Sequence, residues 1–259
     1  MEYVLITGAT SGIGYALSEI YYRNGYALIL VGRSIEKLQE TKRQLEQDKK
    51  MNQQKPEVNP IHLICQDLAL SESAKLIYNE INALGLKVDI VINNAGAGYV
   101  GEFVEEQEAD ILSHMHLNMM TLTLLTRYFA QDMKQLGKGK ILNVASTGAY
   151  HPGPYTAVYY ATKAYVLSLT EALYEELKDY GVHVASLCPG ATKTNFACAA
   201  GREDTSIAMT PEFVAQKAYV GMIQNKKVII PGIRNKLWVR LSKRMAIPFI
   251  KVYQRRLMK

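Results

Sequence analysis

The sequence predicts an α/β fold: a doubly wound parallel sheet of about seven strands with helices on both faces. Short apolar runs of strand length alternate along the chain with longer segments of helical period. The strand candidates are almost continuously hydrophobic, as expected where helices cover both faces of a parallel sheet. The chain has 259 residues, of which 48% are hydrophobic and 21% charged, so it can bury such a core. That composition excludes disordered and collagen-like chains.

Each strand candidate is an apolar run bounded by Gly, Pro, Asn or charge, and each helix candidate is a periodic segment between two such runs. In chain order, the predicted strands are Tyr3–Ile6, Ala27–Val31, Ile61–Cys65, Val88–Ile92, Lys140–Val144, His183–Cys188 and Val228–Ile230. The predicted helices are 13–24, 35–50, 71–84, 104–113, 115–136, 158–179 and 211–224. The polar insert 48–59 is predicted to be a surface loop. Residues 1–232 are therefore expected to form one domain, followed by a tail at residues 233–259.

The cysteines indicate a cellular compartment, and the charge distribution separates the body of the chain from its tail. Cys65, Cys188 and Cys198 lack the paired spacing of zinc or disulfide frameworks, which predicts free thiols in a reducing, cytoplasmic compartment. No stretch of about 18 apolar residues without charge occurs, so no membrane-spanning helix is predicted. All 24 acidic residues lie at or before Glu212, whereas 12 of the 30 basic residues follow it. The body is therefore mildly acidic and the tail strongly basic.

A glycine-rich turn follows the first predicted strand and precedes the first predicted helix. Residues 7–14 read Thr-Gly-Ala-Thr-Ser-Gly-Ile-Gly. Glycines in this setting let the backbone approach a pyrophosphate, whose charge is met by free N–H groups and the positive end of the helix. The strand–turn–helix context predicts a Rossmann-type dinucleotide site. Its candidate cofactor-binding residues are Gly8, Thr10, Ser11, Gly12, Ile13 and Gly14.

The end of the second predicted strand indicates which dinucleotide binds. An acidic residue there would hydrogen-bond the ribose 2′-hydroxyl of NAD, but this chain has Arg33 followed by Ser34. A guanidinium offers a fork of donors to a 2′-phosphate. NADP(H) is therefore favoured over NAD(H), with Arg33 and Ser34 as its contacts. The alternative is that Arg33 only solvates the start of the following helix.

Three further motifs follow in order: Asn93-Asn94-Ala95-Gly96 after the fourth strand, Ser146 after the fifth, and Tyr159-x-x-x-Lys163 in the next helix. Together with the glycine turn they resemble the short-chain dehydrogenase/reductases, over residues 1–232. The family's thirteen-residue gap between serine and tyrosine is reproduced by Ser146 and Tyr159. The resemblance implies catalysis by Ser146, Tyr159, Lys163 and Asn118. It implies further cofactor contacts from Asp67, Leu68, Asn94, Ala95, Gly96, Tyr159, Lys163, Pro189, Gly190, Thr192 and Thr194.

The residue types suit proton transfer to a carbonyl. Tyr159 and Lys163 lie four apart, so both side chains point from one helix face. A neighbouring ammonium lowers a phenol pKa from about 10 toward the working range. Ser146 would stabilise the charge developing on the carbonyl oxygen. By resemblance, Lys163 also holds the nicotinamide ribose, and Asn118 holds a water that connects the lysine to solvent.

Each of these assignments has a structural alternative. Tyr159 and Lys163 would then lie on an exposed helix face, Ser146 would stabilise a turn, and Asn118 would be a buried structural amide. A second Tyr-x-x-x-Lys at Tyr174 is set aside, because the residue thirteen before it is Ala161. Tyr155 and Tyr160 also fail the double spacing.

Two histidines and several aromatic residues complete the candidate site. His114 and His116 diverge on a helix and have no carboxylate or thiolate cluster beside them, so no metal site is predicted.

The substrate walls are expected from residues 97–99, 147–155 and 195–209, the last a lid by resemblance. Aromatic and sulfur side chains there predict an apolar cleft: Tyr99, Tyr150, Tyr155, Phe196 and Met209. That cleft suits a ketone, aldehyde or secondary alcohol on a hydrophobic body.

The tail combines apolar and basic residues at helical spacing, with an interruption expected at Pro248. The apolar members are Trp238, Leu241, Met245, Phe249, Ile250, Tyr253 and Leu257. Such a helix docks on its own domain or on a second subunit; the alternative is contact with an anionic membrane surface. Nucleic acid is not expected, since no recognition module is visible.

Together these features predict an NADP-dependent oxidoreductase that transfers hydride between the nicotinamide and a carbonyl or secondary alcohol. Two alternatives stay open: a nucleotide-binding regulatory module with vestigial catalysis, and an epimerase or dehydratase on the same fold. A homo-oligomer is expected from the resemblance alone.

Overall fold

The computed structural model describes residues 1–52, 59–196, 200 and 208–258. Its strands are β1 (Tyr3–Thr7), β2 (Ala27–Gly32), β3 (Ile61–Cys65), β4 (Val88–Asn93), β5 (Gly139–Val144), β6 (Val182–Leu187) and β7 (Val228–Ile229). They form one sheet in the order β3-β2-β1-β4-β5-β6-β7, and every neighbouring pair is parallel. The predicted seven-stranded parallel sheet is confirmed.

The helices lie between the strands. They are α1 (Gly12–Arg23), α2 (Ile35–Asn52), α3 (Ser73–Ala83), α4 (Glu108–Met115), α5 (Leu122–Leu136), α6 (Ala157–Leu177), α7 (Pro211–Ile223), α8 (Ile233–Trp238) and α9 (Lys243–Leu257). A π-helical segment, His116–Thr121, joins α4 to α5, and short 3-10 turns occupy Phe103–Glu105, Thr147–Tyr150 and Lys178–Tyr180.

Two apolar layers hold the sheet between the helices. On one face, Leu17, Leu38 and Val214 bring α1, α2 and α7 against the strands. On the other, Ile77 and Phe129 do the same for α3 and α5, and α6 packs beside them. Both faces are therefore covered, which explains why the strands are near-continuous hydrophobic runs.

Strand order changes direction between β1 and β4, which are adjacent although β2 and β3 separate them in sequence. Chain segments leaving the carboxyl ends of such strands diverge and leave a crevice, where ligands bind in open α/β sheets. The residues after β1, β4, β5 and β6 carry the motifs described above. The topology therefore brings motifs 180 residues apart to one edge of the sheet.

Three predictions about the helices were wrong in detail. The predicted helix 104–113 begins only at Glu108, and no break separates it from the next, because the π-helical segment continues the backbone into α5. The interruption expected at Pro248 is absent: α9 runs through it. Pro248 is exposed, so water can satisfy the carbonyl that loses its helical donor. Helix α2 also extends to Asn52, into the predicted insert loop, while residues 53–58 lie outside the described part.

The tail packs against the domain of its own chain through α8 and α9. Ala246, Ile250 and Gln254 are buried along one face of α9. The Trp238 ring meets the His151 ring edge to face at 5.8 Å, and the backbone oxygen of Trp238 lies 3.2 Å from His151 Nε2. Of the alternatives weighed for the tail, docking on its own domain is therefore observed. Among the described helices, none combines the length and apolar character needed to cross a bilayer.

Candidate active site

A cavity of about 1780 Å³ lies at the carboxyl edge of the sheet. It is bounded by the glycine turn after β1, Arg33 after β2, Asp67 after β3, and the segments that follow β4, β5 and β6. Tyr159 and Lys163 reach it from α6. The fold thus places the predicted cofactor turn around a single space with Ser146, Tyr159 and Lys163, whereas Asn118 is fully buried and does not line it.

The glycine turn has the shape its sequence predicts. Gly8 and Gly12 have φ of +64° and +54°, a backbone region that disfavours other residues. At Gly14 an added Cβ would overlap the carbonyl oxygen of Gly8, so only glycine lets α1 start this close to the strand. Asn94 secures the turn from β4, since its Nδ2 donates to the oxygens of Thr7 at 2.9 Å and Gly8 at 3.3 Å.

The start of α1 fits a phosphate. Ser11 occupies the cap position, but its side chain makes no capping hydrogen bond, and no acidic residue lies in the first turn. The first N–H groups of the helix are therefore open toward the cavity, where the positive end of the helix dipole favours an anion. Thr10, Ser11, Gly12 and Ile13 line the cavity, while Gly14 lies beneath the turn and does not. These residues fit a dinucleotide pyrophosphate.

Arg33 lies exposed at the end of β2 and lines the cavity. Within the described part of the chain, no carboxylate comes within 4.0 Å of its guanidinium. Its donors therefore face solvent and the cavity, as a 2′-phosphate site requires. Ser34 does not line the cavity; its Oγ donates to Glu36 at 2.7 Å and accepts from Lys37 N at 3.2 Å. The structure thus gives Ser34 a helix-start contact in place of the predicted cofactor contact.

The remaining predicted cofactor contacts line the same cavity in three groups. They are Asp67 and Leu68 after β3; Asn94, Ala95 and Gly96 after β4; and Pro189, Gly190, Thr192 and Thr194 after β6. The last group is tied to Met209, whose backbone bonds Ala191 and Lys193 at 2.9 Å each.

Lys163 is buried against the end of β5. Its Nζ donates to the backbone oxygen of Val144 at 2.7 Å, and only 3% of the residue is exposed. Burial disfavours the charged ammonium and lowers the Lys163 pKa from 10.5 to about 8. The Nζ lies 5.8 Å from the centroid of the Tyr159 ring. The two side chains therefore meet in one space, as their spacing on a helix predicted.

Asn118 anchors the floor of this space from the π-helical segment. Its Oδ1 accepts from Ala97 N at 3.0 Å, and its Nδ2 donates to Ala97 O at 2.8 Å and Thr162 Oγ1 at 3.1 Å. A Cβ on Gly96 would lie 3.2 Å from both Asn118 Oδ1 and Lys163 Nζ. Both hydrogens of the Asn118 amide are thus committed to protein atoms, which fixes the backbone beside Lys163.

Ser146 and an aromatic contact complete the arrangement. Ser146 Oγ accepts from Gly148 N at 3.0 Å, which orients it at the start of a 3-10 turn and leaves its O–H available to donate. The Tyr159 ring contacts Phe196 at 5.2 Å between centroids. A Cβ on Gly98 would lie 2.8 Å from Tyr159 Cδ2. Gly98 therefore allows the ring its place in the cavity.

Only some of the residues predicted to form the apolar cleft line the cavity. Tyr99, Phe196 and Met209 line the cavity, whereas Tyr150 and Tyr155 do not. Tyr150 turns toward Cys188 in a separate apolar cluster, where burial raises its pKa above the usual range. Tyr155 sits at φ +65°. Of the predicted lid, residues 197–199 and 201–207 lie outside the described residues.

In their place, tail residues line the cavity. These are Trp238, Phe249, Ile250, Val252, Tyr253 and Gln254. Gln254 Nε2 donates to Tyr160 OH at 3.4 Å, beside the candidate acid. The amphipathic pattern of the tail predicted a docking face, but nothing local in the sequence indicated that it docks here.

The second Tyr-x-x-x-Lys lies elsewhere, whereas Tyr160 and His114 line the cavity. Tyr174 packs against His183 with ring centroids 5.8 Å apart, and Lys227 Nζ lies 5.2 Å from its ring. His114 pairs through Nδ1 with Glu106 at 3.1 Å. His116 Nδ1 is buried without a hydrogen-bond partner. Among the residues with described positions, no cluster of three His, Cys, Asp or Glu side chains could hold a metal.

Comparison with known proteins agrees with this geometry. The family model for short chain dehydrogenase matches residues 2–204. Dehydrogenase/reductase SDR family member 7B of Xenopus tropicalis is 30% identical, over 88% of this chain and 76% of its own. A short-chain dehydrogenase from Sphingobium yanoikuyae, solved with NADPH, has a TM-score of 0.83 at 28% identity, covering 93% and 96% of the two chains. The bulky-bulky ketone specific alcohol dehydrogenase from Comamonas testosteroni has a TM-score of 0.79 at 28% identity, covering 99% and 92%. The chain therefore belongs to the short-chain dehydrogenase family and is an NAD(P)-dependent oxidoreductase.

Proposed function

We propose that this protein is an NADP-dependent carbonyl reductase that acts on a hydrophobic ketone or aldehyde and, in reverse, on the secondary or primary alcohol. The observation that carries the proposal is that Ser146, Tyr159 and Lys163 line one cavity with the open start of α1. The apolar walls, from Tyr99, Phe196 and the tail, favour a hydrophobic substrate. The similarity to a ketone-specific dehydrogenase supports the same substrate class.

A bound nicotinamide would supply the hydride to the carbonyl carbon. Tyr159 donates its phenolic proton to the carbonyl oxygen, and the Ser146 hydroxyl donates a hydrogen bond to the same oxygen. The phenolate left on Tyr159 is stabilised by the ammonium of Lys163 beside its ring. In the reverse direction the phenolate accepts the proton of the alcohol.

Asn118 acts as a positioning residue in this proposal. Its side-chain amide holds Ala97 and Thr162, so neither of its hydrogens is left for the relay water that the family resemblance implies. Thr162 in turn donates to the backbone oxygen of Tyr159 at 2.8 Å. The amide thereby fixes both the floor below Lys163 and the turn of α6 that carries the phenol.

Activity with ketones tests the proposal. Purified protein is mixed with NADPH and a panel of hydrophobic ketones, and loss of reduced-nicotinamide absorbance is followed. Tyr159→Phe should lower kcat by a factor of about 10²–10⁴. Tyr174→Phe, in the second Tyr-x-x-x-Lys, is the matched control and should leave kcat unchanged. Tight NADPH binding without turnover above Tyr159→Phe across the panel would contradict the proposal and favour a regulatory nucleotide-binding module.

Arg33 is proposed to select NADP over NAD. Because a guanidinium–phosphate contact contributes about 1.5–3 kcal/mol, Arg33→Ala should weaken NADPH binding roughly 10- to 100-fold and leave NADH binding unchanged. Arg23→Ala is the control, since Arg23 is engaged with Glu19 at 2.6 Å away from the cavity. Isothermal titration of both dinucleotides measures the effect. Equal affinity of the wild type for NADH and NADPH would overturn the assignment.

We also propose that the protein is a homo-oligomer of the reducing cytoplasm. The family resemblance predicts subunit contact through helices that include α6, which carries Tyr159 and Lys163. Exposed apolar residues lie on α6 and on the neighbouring α4 and π-helical segment: Tyr165, Leu112, Met115 and Met120. Among the described cysteines, Cys65 and Cys188 are free thiols; Cys198 lies outside the described residues. Sedimentation velocity of the wild type and Leu112→Ser tests the assembly.

A further inference from the structure

Helix α9 has one face buried against the domain and a separate apolar stripe that is exposed. Ala246, Ile250 and Gln254, spaced by four, are buried against the domain. Met245, Phe249 and Val252, spaced by four and three, form a second stripe that is exposed, with Phe249 at 65%. Residues at these spacings share a helix face, so the exposed stripe is continuous.

Helix α8 adds two exposed apolar side chains. Ile233 and Leu237, four residues apart, are 76% and 61% exposed. We call the exposed side chains Ile233, Leu237, Met245, Phe249 and Val252 the tail surface. Scattered single apolar residues on a surface need no explanation, but a set of five on two consecutive helices indicates a binding surface.

Basic residues flank the tail surface. Arg244, Lys251 and Arg255, spaced by seven and four, form a third, exposed stripe of α9. Residues 233–259 include nine Lys and Arg and no acidic residue. For the tail cations whose positions the structure describes, no carboxylate lies within 4.0 Å. No carboxylate in the described part of the chain therefore neutralises these charges.

The tail surface borders the mouth of the catalytic cavity. Ile233, Phe249 and Val252 belong both to the exposed surface and to the cavity lining, together with the half-exposed Tyr253. The same cavity holds Tyr159. Any partner seated on the tail surface thus lies at the opening through which a substrate would enter.

We infer that the tail surface docks on the surface of an anionic lipid bilayer and opens the cavity mouth toward the lipid. Exposed apolar side chains match the acyl chains of such a surface, and the basic stripe, which has no ion-pair partner among the described carboxylates, matches its anionic headgroups. A second copy of this chain fits less well, because a two-fold contact would place the same basic stripe against itself. The docking step is independent of the proposed function, whereas substrate delivery from the lipid rests on it.

Sedimentation with vesicles tests the docking. The full chain is pelleted with vesicles of phosphatidylcholine and phosphatidylserine in a 7:3 ratio, and with phosphatidylcholine alone. The wild type should bind the anionic vesicles and lose binding in 0.5 M NaCl. Each basic residue at such a surface strengthens binding about fivefold, so replacing Arg244, Lys251 and Arg255 by Gln should weaken partitioning about 100-fold.

Leu237→Ser with Met245→Ser removes apolar contact without touching the cavity lining and should weaken partitioning roughly tenfold. Leu76→Ser on α3, where the side chain is 51% exposed and away from the tail, is the matched control and should bind as the wild type does. Equal pelleting with neutral and anionic vesicles, or equal losses in the control, would overturn the inference. Sedimentation velocity without lipid gives a further test. If the tail variants dissociate a dimer and the control variant does not, the tail surface is a subunit contact and the inference is overturned. The salt dependence is measured on the wild type, so it tests the docking even if a variant misfolds.

Delivery is tested with a long-chain ketone embedded in the vesicles and NADPH in solution. The wild type should reduce it several-fold faster from anionic than from neutral vesicles, and the Leu237→Ser, Met245→Ser variant should not. A water-soluble ketone should be reduced equally by both proteins. Equal rates from both vesicle types despite selective binding would overturn delivery. If no ketone is reduced at all, the proposed function fails while the pelleting result still decides the docking.

Discussion

Replacing Lys163 by Met should make the protein more stable while abolishing its activity. Lys163 is buried, and burial lowers its pKa from 10.5 to about 8. In the unfolded chain the amine is solvated and keeps its ordinary pKa. At pH 7 the folded protein therefore holds an ammonium that is disfavoured relative to the unfolded chain, by roughly 3 kcal/mol for a shift of this size.

The net effect is smaller, because Met cannot donate to the backbone oxygen of Val144, which Lys163 Nζ reaches at 2.7 Å. Losing that hydrogen bond costs about 1 kcal/mol. Met has a similar length and no charge, so the variant should gain about 2 kcal/mol in free energy of unfolding at pH 7. Natural active sites commonly give up stability in this way for function.

The sign of the pH dependence follows from proton uptake. Between the folded pKa of about 8 and the unfolded value of 10.5, the unfolded chain binds one more proton than the folded chain. Unfolding therefore becomes harder as pH rises through this window. The penalty is full below pH 8 and is relieved as pH approaches 10.5, so the advantage of Lys163→Met should vanish by about pH 10.

Urea unfolding of the wild type and the variant at pH 7 and pH 10, without cofactor, measures the gain in free energy of unfolding and its pH dependence. Lys178→Met is the matched control, since Lys178 follows Tyr174 in the second motif and is exposed. It should change neither the pH dependence nor the activity. A variant that is less stable than the wild type at pH 7, or an advantage that is equal at both pH values, would refute the reasoning.

Three further predictions concern the frame of the site. Gly14→Ala should cost about 3 kcal/mol in urea unfolding and weaken NADPH binding, because its Cβ overlaps a backbone oxygen; Gly25→Ala, with open space at φ +89°, should cost only about 1–2 kcal/mol. Asn118→Ala should lower the free energy of unfolding by roughly 3 kcal/mol, since it leaves buried backbone groups without partners; an unchanged urea midpoint would contradict this. Trp238→Ala removes the contact with His151, so limited trypsin digestion should release the tail about fivefold faster, and an unchanged rate would show that other contacts hold it.

The features of the fold and the site that could be predicted well are those that depend on residues close together in sequence. Each strand was marked by its own apolar run, and the glycine turn by three glycines whose positions fit one strand–turn–helix junction. Tyr159 and Lys163 were paired by a four-residue spacing that any α-helix converts into a shared face. The helix boundaries around His116 were wrong because a π-helical segment has no distinct apolar period.

The parts not predicted depend on residues far apart in sequence. Asn93 on β4 donates to Asn143 on β5 at 2.8 Å, and Asn143 donates to Thr170 on α6 at 3.1 Å. This buried network ties α6, which carries Tyr159 and Lys163, to the sheet, yet each member is an ordinary polar residue in the sequence. Tyr150 was misplaced for the same reason, since its contact with Cys188 requires β6 to lie beside β5.

The chemical groups, their order and their local spacing follow directly from the amino-acid sequence: a turn open to phosphate, a serine, a tyrosine and a lysine one helical turn further on. The environment of those groups follows from how distant segments pack together. That packing buried Lys163 and so lowered its pKa, and it brought the tail over the cavity as a wall with an exposed outer face. Backbone geometry fixes what lies within a few residues, whereas solvent exclusion and electrostatic cost depend on which distant segments pack together.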